Sequence, residues 1–301
     1  MEKKNLFLIL LVLGTAFWGI SFSVTKLAIG PNQSSLFLFF RFLLATIVLS
    51  AVFWKHVRRV ELAAVKMGMR LAIPLVAGIY LQTLGITHTS ASQCSFVAGI
   101  TVVIIPVLKL LIYRKSAPLK IWLAAVTALI GLFVISIKDN FSIGIGDLYT
   151  IVGAFCFAIY LIRVEECSAV RNLVPTIVPM FATCAALTFL LVLAKGKFNV
   201  IPQNQYFWGG IVFCALFSTA YMYTISNISQ RYISAERVAI IYLFEPVFGA
   251  VAAYFILGES ISARLLLGGS IIFIATLIAE LDLKKFLMQK RRSINRPPAV
   301  S

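Results

Sequence analysis

Residues 234–257 read SAERVAIIYLFEPVFGAVAAYFIL, and residues 90–113 read SASQCSFVAGITVVIIPVLKLLIY. Each stretch opens on Ser-Ala and carries a Pro-Val pair in its interior, Pro106-Val107 in one and Pro246-Val247 in the other. A basic residue, Lys120 or Arg264, then opens the next apolar stretch. The opening and closing markers share an offset of 144 residues and the prolines one of 140, a slip of about one helical turn. An apolar run of about 20 residues is what a helix needs to cross the hydrocarbon core of a bilayer. Ten runs approach that length, at 6–29, 35–54, 70–88, 92–113, 119–137, 145–163, 174–194, 206–228, 234–257 and 263–283.

The order of markers predicts a repeat. Gly14-Thr15-Ala16-Phe17-Trp18-Gly19 in the first span also aligns with Gly153-Ala154-Phe155-Cys156-Phe157-Ala158 in the sixth. Five spans per half is an odd number, so the second half enters the membrane the other way up. The predicted fold is an all-α polytopic membrane protein, ten transmembrane helices forming two inverted five-helix repeats around a central cavity. Residues 1–138 form the first repeat, 139–283 the second, and 284–301 a basic tail. Inverted repeats of this kind place a binding site near the midplane, between the halves.

Composition agrees with a membrane class and excludes others. Of 301 residues 60% are hydrophobic and 13% charged, with a mean hydropathy of +0.96. A soluble domain carries about 25% charged residues. The first span follows Lys3 and Lys4, yet it is too long for a cleaved signal and is read as a retained helix. With the N-terminus inside, 20 of the 27 Lys and Arg residues fall on the cytoplasmic side, so both termini are expected in the cytoplasm. The net charge of +16 then reflects loop anchoring to an anionic leaflet, and no nucleic-acid partner is expected. The run from Lys284 to Arg296 is read as such an anchor, and Glu280 and Asp282 beside Lys284 and Lys285 as a solvated end cluster.

Five cysteines without a CxxC pair, four in apolar spans and Cys167 in an expected cytoplasmic loop, predict free thiols. Two histidines, His56 and His88, and no HExxH motif leave a metal site without support. No GxxxxGK[ST] motif is present, so ATP hydrolysis is not expected. Neither cofactor nor enzymatic activity is expected.

Over nearly its whole length the chain resembles a ten-helix member of the drug/metabolite transporter superfamily, EamA type. The residues behind this are Ala16-Phe17-Trp18-Gly19 with Phe22, Arg41-Phe42, Thr89-Ser90-Ala91 through Val103-Ile104-Ile105-Pro106, Gly146-Asp147, Phe244-Glu245-Pro246-Val247-Phe248 and Leu257-Gly258-Glu259. The first half departs at Tyr113-Arg114-Lys115-Ser116, where a Leu-Gly-Glu triplet would be usual. The resemblance implies a basket-like bundle, its cavity lined by spans 1, 3, 4, 6, 8 and 9, with spans 5 and 10 at the periphery. Members mostly export amino acids or other metabolites.

The chemistry-bearing candidates follow from what is costly in hydrocarbon. Glu245, near the middle of span 9, is the only carboxylate so deep. It either binds a cationic substrate group or changes protonation during transport, or else closes a kinked helix; the structural role carries slightly more weight. Pro246 removes a backbone hydrogen bond next to it, and with Pro106 it offers a bend for gating. Arg41, about two turns into span 2, is close enough to the outer interface to snorkel, the favoured reading; turned inward, it would meet a substrate anion. Lys26 and Lys109 are read as interfacial. Trp18, Tyr80, Tyr160, Tyr221 and Tyr242 fall in the middle portions of spans 1, 3, 6, 8 and 9, and Gln82, Gln93, Ser95 and Asn227 add hydrogen-bonding groups.

Taken together these predict a secondary transporter in the cytoplasmic (inner) membrane. It would export a small polar or amphipathic metabolite, an amino acid or related compound, by alternating access. The alternative is a flippase or carrier of a lipid-linked intermediate, with Lys55, Arg58 and Arg59 as its basic cluster; an intramembrane enzyme ranks last. The expected partners are the small-molecule substrate and the lipid bilayer, and a monomer suffices.

Overall fold

The computed structural model describes residues 3–30, 33–136, 144–195, 202, 204–258 and 263–280. Lys138, Lys197, Glu259, Asp282, the side chain of Glu280 and the basic run from Lys284 to Arg296 lie outside the described residues. The described chain is all-helical: α1 (Lys3–Ala28), α2 (Ser34–Val52), α3 (Trp54–Val57), α4 (Leu62–His88), α5 (Ala91–Ala98), α6 (Thr101–Tyr113) and α7 (Leu119–Ser136). It continues as α8 (Ile145–Val170), α9 (Val174–Ala194), α10 (Gln205–Phe213), a π-helical segment (Cys214–Tyr221), α11 (Met222–Ser229), α12 (Ala235–Tyr242), α13 (Phe244–Leu257) and α14 (Ala263–Glu280).

Eight helical stretches are long and apolar enough to cross a membrane, with α5–α6, α10–α11 and α12–α13 each counted as one. The apolar parts of α7 and α14, Leu119–Val134 and Leu266–Ala279, are shorter. Two helices outrun the apolar windows read from sequence. α4 starts at Leu62, eight residues before the expected 70, and α8 continues to Val170, past the expected 163. Hydropathy marks only the lipid-matched part of a helix, and hydrogen bonding carries it on into polar sequence such as Glu165-Glu166. Cys167 therefore sits on a helix rather than in a loop, and all five cysteines are free thiols.

Lipid offers no hydrophobic drive between helices, so close packing must hold them together. α1 packs on α13, α4 on both α8 and α9, and α2 on α9. A Cβ placed on Gly19 of α1 would lie 2.5 Å from the Gly249 amide nitrogen and 2.7 Å from the Glu245 carbonyl oxygen. On Gly78 of α4 it would meet the Gly153 carbonyl at 3.1 Å. α7 and α14 pack on one another: Ala124, Ala125 and Ala128 meet Ile272, Ala275 and Ala279 in a separate buried cluster. The opposite face of α7 exposes Leu119, Leu123, Val126, Ile130 and Phe133, a helical apolar stripe that only lipid would solvate.

The 144-residue offset recurs in the backbone. α5 and α12, Ala91–Ala98 and Ala235–Tyr242, correspond at both ends, and both are followed by a short interruption before the helix resumes. At Gly99 and Leu243 the amides turn to i−3 acceptors, Phe96 and Ile240, so the break is a tightened turn. Arg114 (φ 51°) and Gly258 (φ 70°), which end α6 and α13, also correspond and are the only described residues with positive φ. The arginine thus takes the left-handed C-cap position that glycine occupies without penalty.

Candidate functional site

The cavity lies in the middle of the bundle, walled by α1, α2, α4, α5, the start of α6, α8, α11, α12 and α13. It extends from Trp18, Tyr223 and Tyr242 toward Thr25 and Ile86, at the end of the bundle where α1 and α4 finish. Lys26 ties those two helix ends by donating to the Ile86 and Thr89 carbonyls at 2.7 and 2.8 Å, and so caps α4 at that end of the bundle. Beside it, Gln93 Nε2 donates to both Asp147 oxygens at 3.0 and 2.9 Å. Asp147 also accepts from the Gly144 amide at the start of α8, where its charge suits the helix dipole.

The cavity holds about 60 Å³, room for a few waters and well below the roughly 300–1,000 Å³ of sites that enclose small molecules. One wall is aromatic. Trp18 packs edge-on against Tyr242 (4.7 Å between centroids) and Phe157 (5.7 Å), and tilted against Tyr223 (5.2 Å). Phe157 in turn stacks on Tyr160 at 5.6 Å. Two hydroxyls of this layer are spent on side chains of α11. Tyr160 donates to Asn227 Oδ1 at 2.6 Å, and the Tyr242 hydroxyl bonds the Ser226 hydroxyl.

Arg41 differs most from its expected place. It is 7% exposed and lines the cavity instead of snorkelling. Its Nε donates to Thr219 Oγ1 at 2.6 Å and its Nη2 to Ser218 Oγ at 3.0 Å. Both hydroxyls belong to the π-helical segment, which also presents the Ser218 carbonyl to Trp18 Nε1 at 2.6 Å. Buried hydroxyls make an inward guanidinium tolerable where lipid would not. Glu245, 8% exposed, lines the same cavity from α13, and its carboxylate accepts no hydrogen bond from any described side chain. Ion pairing within 4.0 Å does not link Arg41 to Glu245 among the described residues.

Of the residues singled out from sequence, Trp18, Gln82, Ser95, Tyr242, Glu245, Pro246 and Arg41 line this cavity. Tyr160 and Asn227 form the closed layer behind Phe157. Three others serve elsewhere: Tyr80 accepts from Lys195 Nζ at 2.6 Å, Tyr221 donates to the Leu10 carbonyl at 3.1 Å, and Gln93 holds Asp147. Pro106 is buried inside α6, away from the cavity wall.

At the opposite end of the bundle, Lys109 of α6 is clamped between Glu236 of α12, at 2.8 Å, and Glu165 of α8. Sequence reading left Lys109 at an interface, because the partners lie 56 and 127 residues away and no local spacing links them. The Ser218–Thr219 pair was missed too; a π-helix has no strong sequence signature, although its frequency at functional sites makes it informative once seen.

The chain is similar in sequence to an uncharacterized transporter of Archaeoglobus fulgidus, 23% identical over 276 residues that cover 90% of this chain and 84% of the relative. It shares its fold with a solved structure described only as the crystal structure of a protein, at a TM-score of 0.73 and 15% identity, covering 95% of this chain and 99% of that one. The model of the EamA-like transporter family matches twice, at residues 5–137 and 144–280, and the chain belongs to that family of membrane transporters.

Proposed function

We propose that the protein is a secondary transporter that exports a small polar or amphipathic metabolite, an amino acid or related compound, by alternating access across the cytoplasmic membrane. The observation that carries this reading is one central cavity bounded by both halves of the chain. It extends toward Thr25 and Ile86 at one end of the bundle, while the aromatic layer and the Lys109 clamp lie toward the other. The positive-inside bias makes the clamped end cytoplasmic, with both termini on that side.

In this reading the ten helices form two inverted five-helix repeats, 1–138 and 139–283. The exposed apolar stripe of α7 supports counting α7 and α14 as the remaining two crossings, since 18 residues rise about 27 Å. Packing supports the inversion. Exchanging the halves converts the α4–α8 contact into α1 against α10–α11, and α1–α13 into α6–α8, and all of these contacts exist. Lys55 and Arg58 sit on or beside α3, away from the cavity, so a lipid headgroup site there would be separate from it.

The test is a thermal-shift screen of the purified protein against metabolites and lipid headgroups, followed by uptake into proteoliposomes. A binder stabilises the folded state by mass action, so a shift with saturable uptake of the same compound supports the reading. Shifts confined to lipids, without soluble flux, would replace it with a flippase.

A further inference from the structure

Arg41 and Glu245 are the two ionisable side chains of opposite sign on the cavity wall, and both are more than nine-tenths buried. Each sits there for reasons that packing alone does not satisfy. Arg41 spends Nε and Nη2 on Thr219 and Ser218, yet a guanidinium carries five N–H donors in a rigid fork. Glu245 has no hydrogen-bond donor among the described residues, and a buried carboxylate without one is costly. A direct salt bridge would satisfy both, but none forms within 4.0 Å. The two side chains line one small space from different helices, α2 and α13, and Trp18 and Tyr242 line it with them.

We infer that Arg41 and Glu245 form the two poles of a site for a small zwitterion, its anionic group on Arg41 and its cationic group on Glu245. This rests on the transport reading and narrows its substrate class. A zwitterion brings no net charge into the bundle and supplies each pole with the partner it lacks; a lone anion or cation would leave one pole uncompensated in a medium that punishes it. The fork of Arg41 suits a carboxylate, which accepts two parallel hydrogen bonds. The faces of Trp18 and Tyr242 suit a cationic group on its way to Glu245, or the apolar part of the solute. At about 60 Å³ the cavity must widen to admit such a molecule, and the Thr25–Ile86 end is where its wall is free of the aromatic layer. Thr219 and Ser218 are positioning residues here: they fix the orientation of the guanidinium.

The test uses the full chain in detergent and in proteoliposomes. The probes are the twenty proteinogenic amino acids and glycine betaine, with the methyl ester and the N-acetyl derivative of every amino acid that shifts the melting temperature. The expected result is that at least one zwitterion binds, while its ester and its N-acetyl form each bind about ten- to a hundredfold more weakly, as loss of one charged hydrogen-bonding partner implies. Glu245→Gln should erase the preference over the N-acetyl form alone, and Arg41→Lys, which keeps the charge but loses the fork, should weaken all carboxylate-bearing probes. Should Arg41→Lys fail to fold, Ser218→Ala, which frees the guanidinium, gives the same reading at reduced size. Derivatives that bind as well as their parents overturn the inference, as does a panel in which no zwitterion binds. Saturable uptake of a singly charged or neutral metabolite would overturn it while leaving the transport reading intact; absence of flux for every solute would remove the transport reading instead.

Discussion

Replacing Lys109 with methionine keeps most of the side-chain stem and removes the charge that holds α6 to α8 and α12. The Lys109 side chain is 14% exposed and reaches between those of Glu236, 8% exposed, and Glu165, 25% exposed. Removing one partner of a buried ion pair costs about 3–5 kcal/mol, chiefly because the charge left behind is uncompensated. Glu165 is wet enough for water to repay part of that, so we expect roughly 2–4 kcal/mol. For a chain of 301 residues that corresponds to a fall in Tm of about 3–6 °C. The assay is thermal unfolding in detergent, followed by intrinsic fluorescence from the four tryptophans. The triple variant Lys109→Met, Glu165→Gln, Glu236→Gln leaves no buried charge and should recover most of the loss. Cys167, half-buried near this end of α8, should become more reactive toward a maleimide in Lys109→Met as the end loosens. A Tm within about 1 °C of the parent, or a triple variant no better than the single one, would refute the clamp.

Gly19→Ala should cost about 1–3 kcal/mol in the same assay, because its methyl would overlap the backbone of Gly249 and the Glu245 carbonyl; Gly209→Ala, where a Cβ meets nothing within 4 Å, should not destabilise. Arg114→Gly should raise stability by about 0.5–1 kcal/mol, read as a higher Tm, by relieving a left-handed backbone at φ 51°. Tyr160→Phe should lower stability by about 1–3 kcal/mol, since it leaves fully buried Asn227 without its donor. Pro246→Ala restores an amide able to reach the Tyr242 carbonyl and should slow hydrogen exchange across Leu243, whereas Pro106→Ala should leave exchange at Gly99 unchanged.

The membrane-spanning helices and their order were legible because each is written in local sequence as the length of an apolar run, and the family model matching once in each half agrees with a duplication. Residues 119–136 and 263–280 were legible as helices but fall short of the other eight in apolar length. Cavity-lining residues were partly legible. Trp18, Gln82, Ser95, Tyr242 and Glu245 could be chosen because a polar or amphipathic group deep in an apolar run needs a reason. That rule does not say where the reason lies. Tyr80 and Tyr221 find theirs in Lys195 and the Leu10 carbonyl, contacts set by tertiary packing. Arg41 was misplaced because distance to the interface was the only local measure available. The hydroxyls that hold it are 177 and 178 residues away.

The π-helical segment resolves how a bundle this apolar keeps an arginine inside. An α-helix satisfies its own carbonyls and turns its side chains outward at a fixed pitch; a π turn widens the helix and changes that pitch locally. Here the segment gives the Ser218 carbonyl to Trp18 and the Ser218 and Thr219 hydroxyls to Arg41. Trp18, Arg41 and the segment are thus fixed by one another, and together they build one side of the cavity. The two ends of the bundle are held differently. Toward Ile86 the ties are a lysine on carbonyls and an amide on a carboxylate. Toward Lys109 a solute would have to part both the aromatic layer and a three-residue ion cluster. In the proposed export cycle the solute arrives from the Lys109 side, so this second barrier must part to admit it and close again before the Ile86 end releases it.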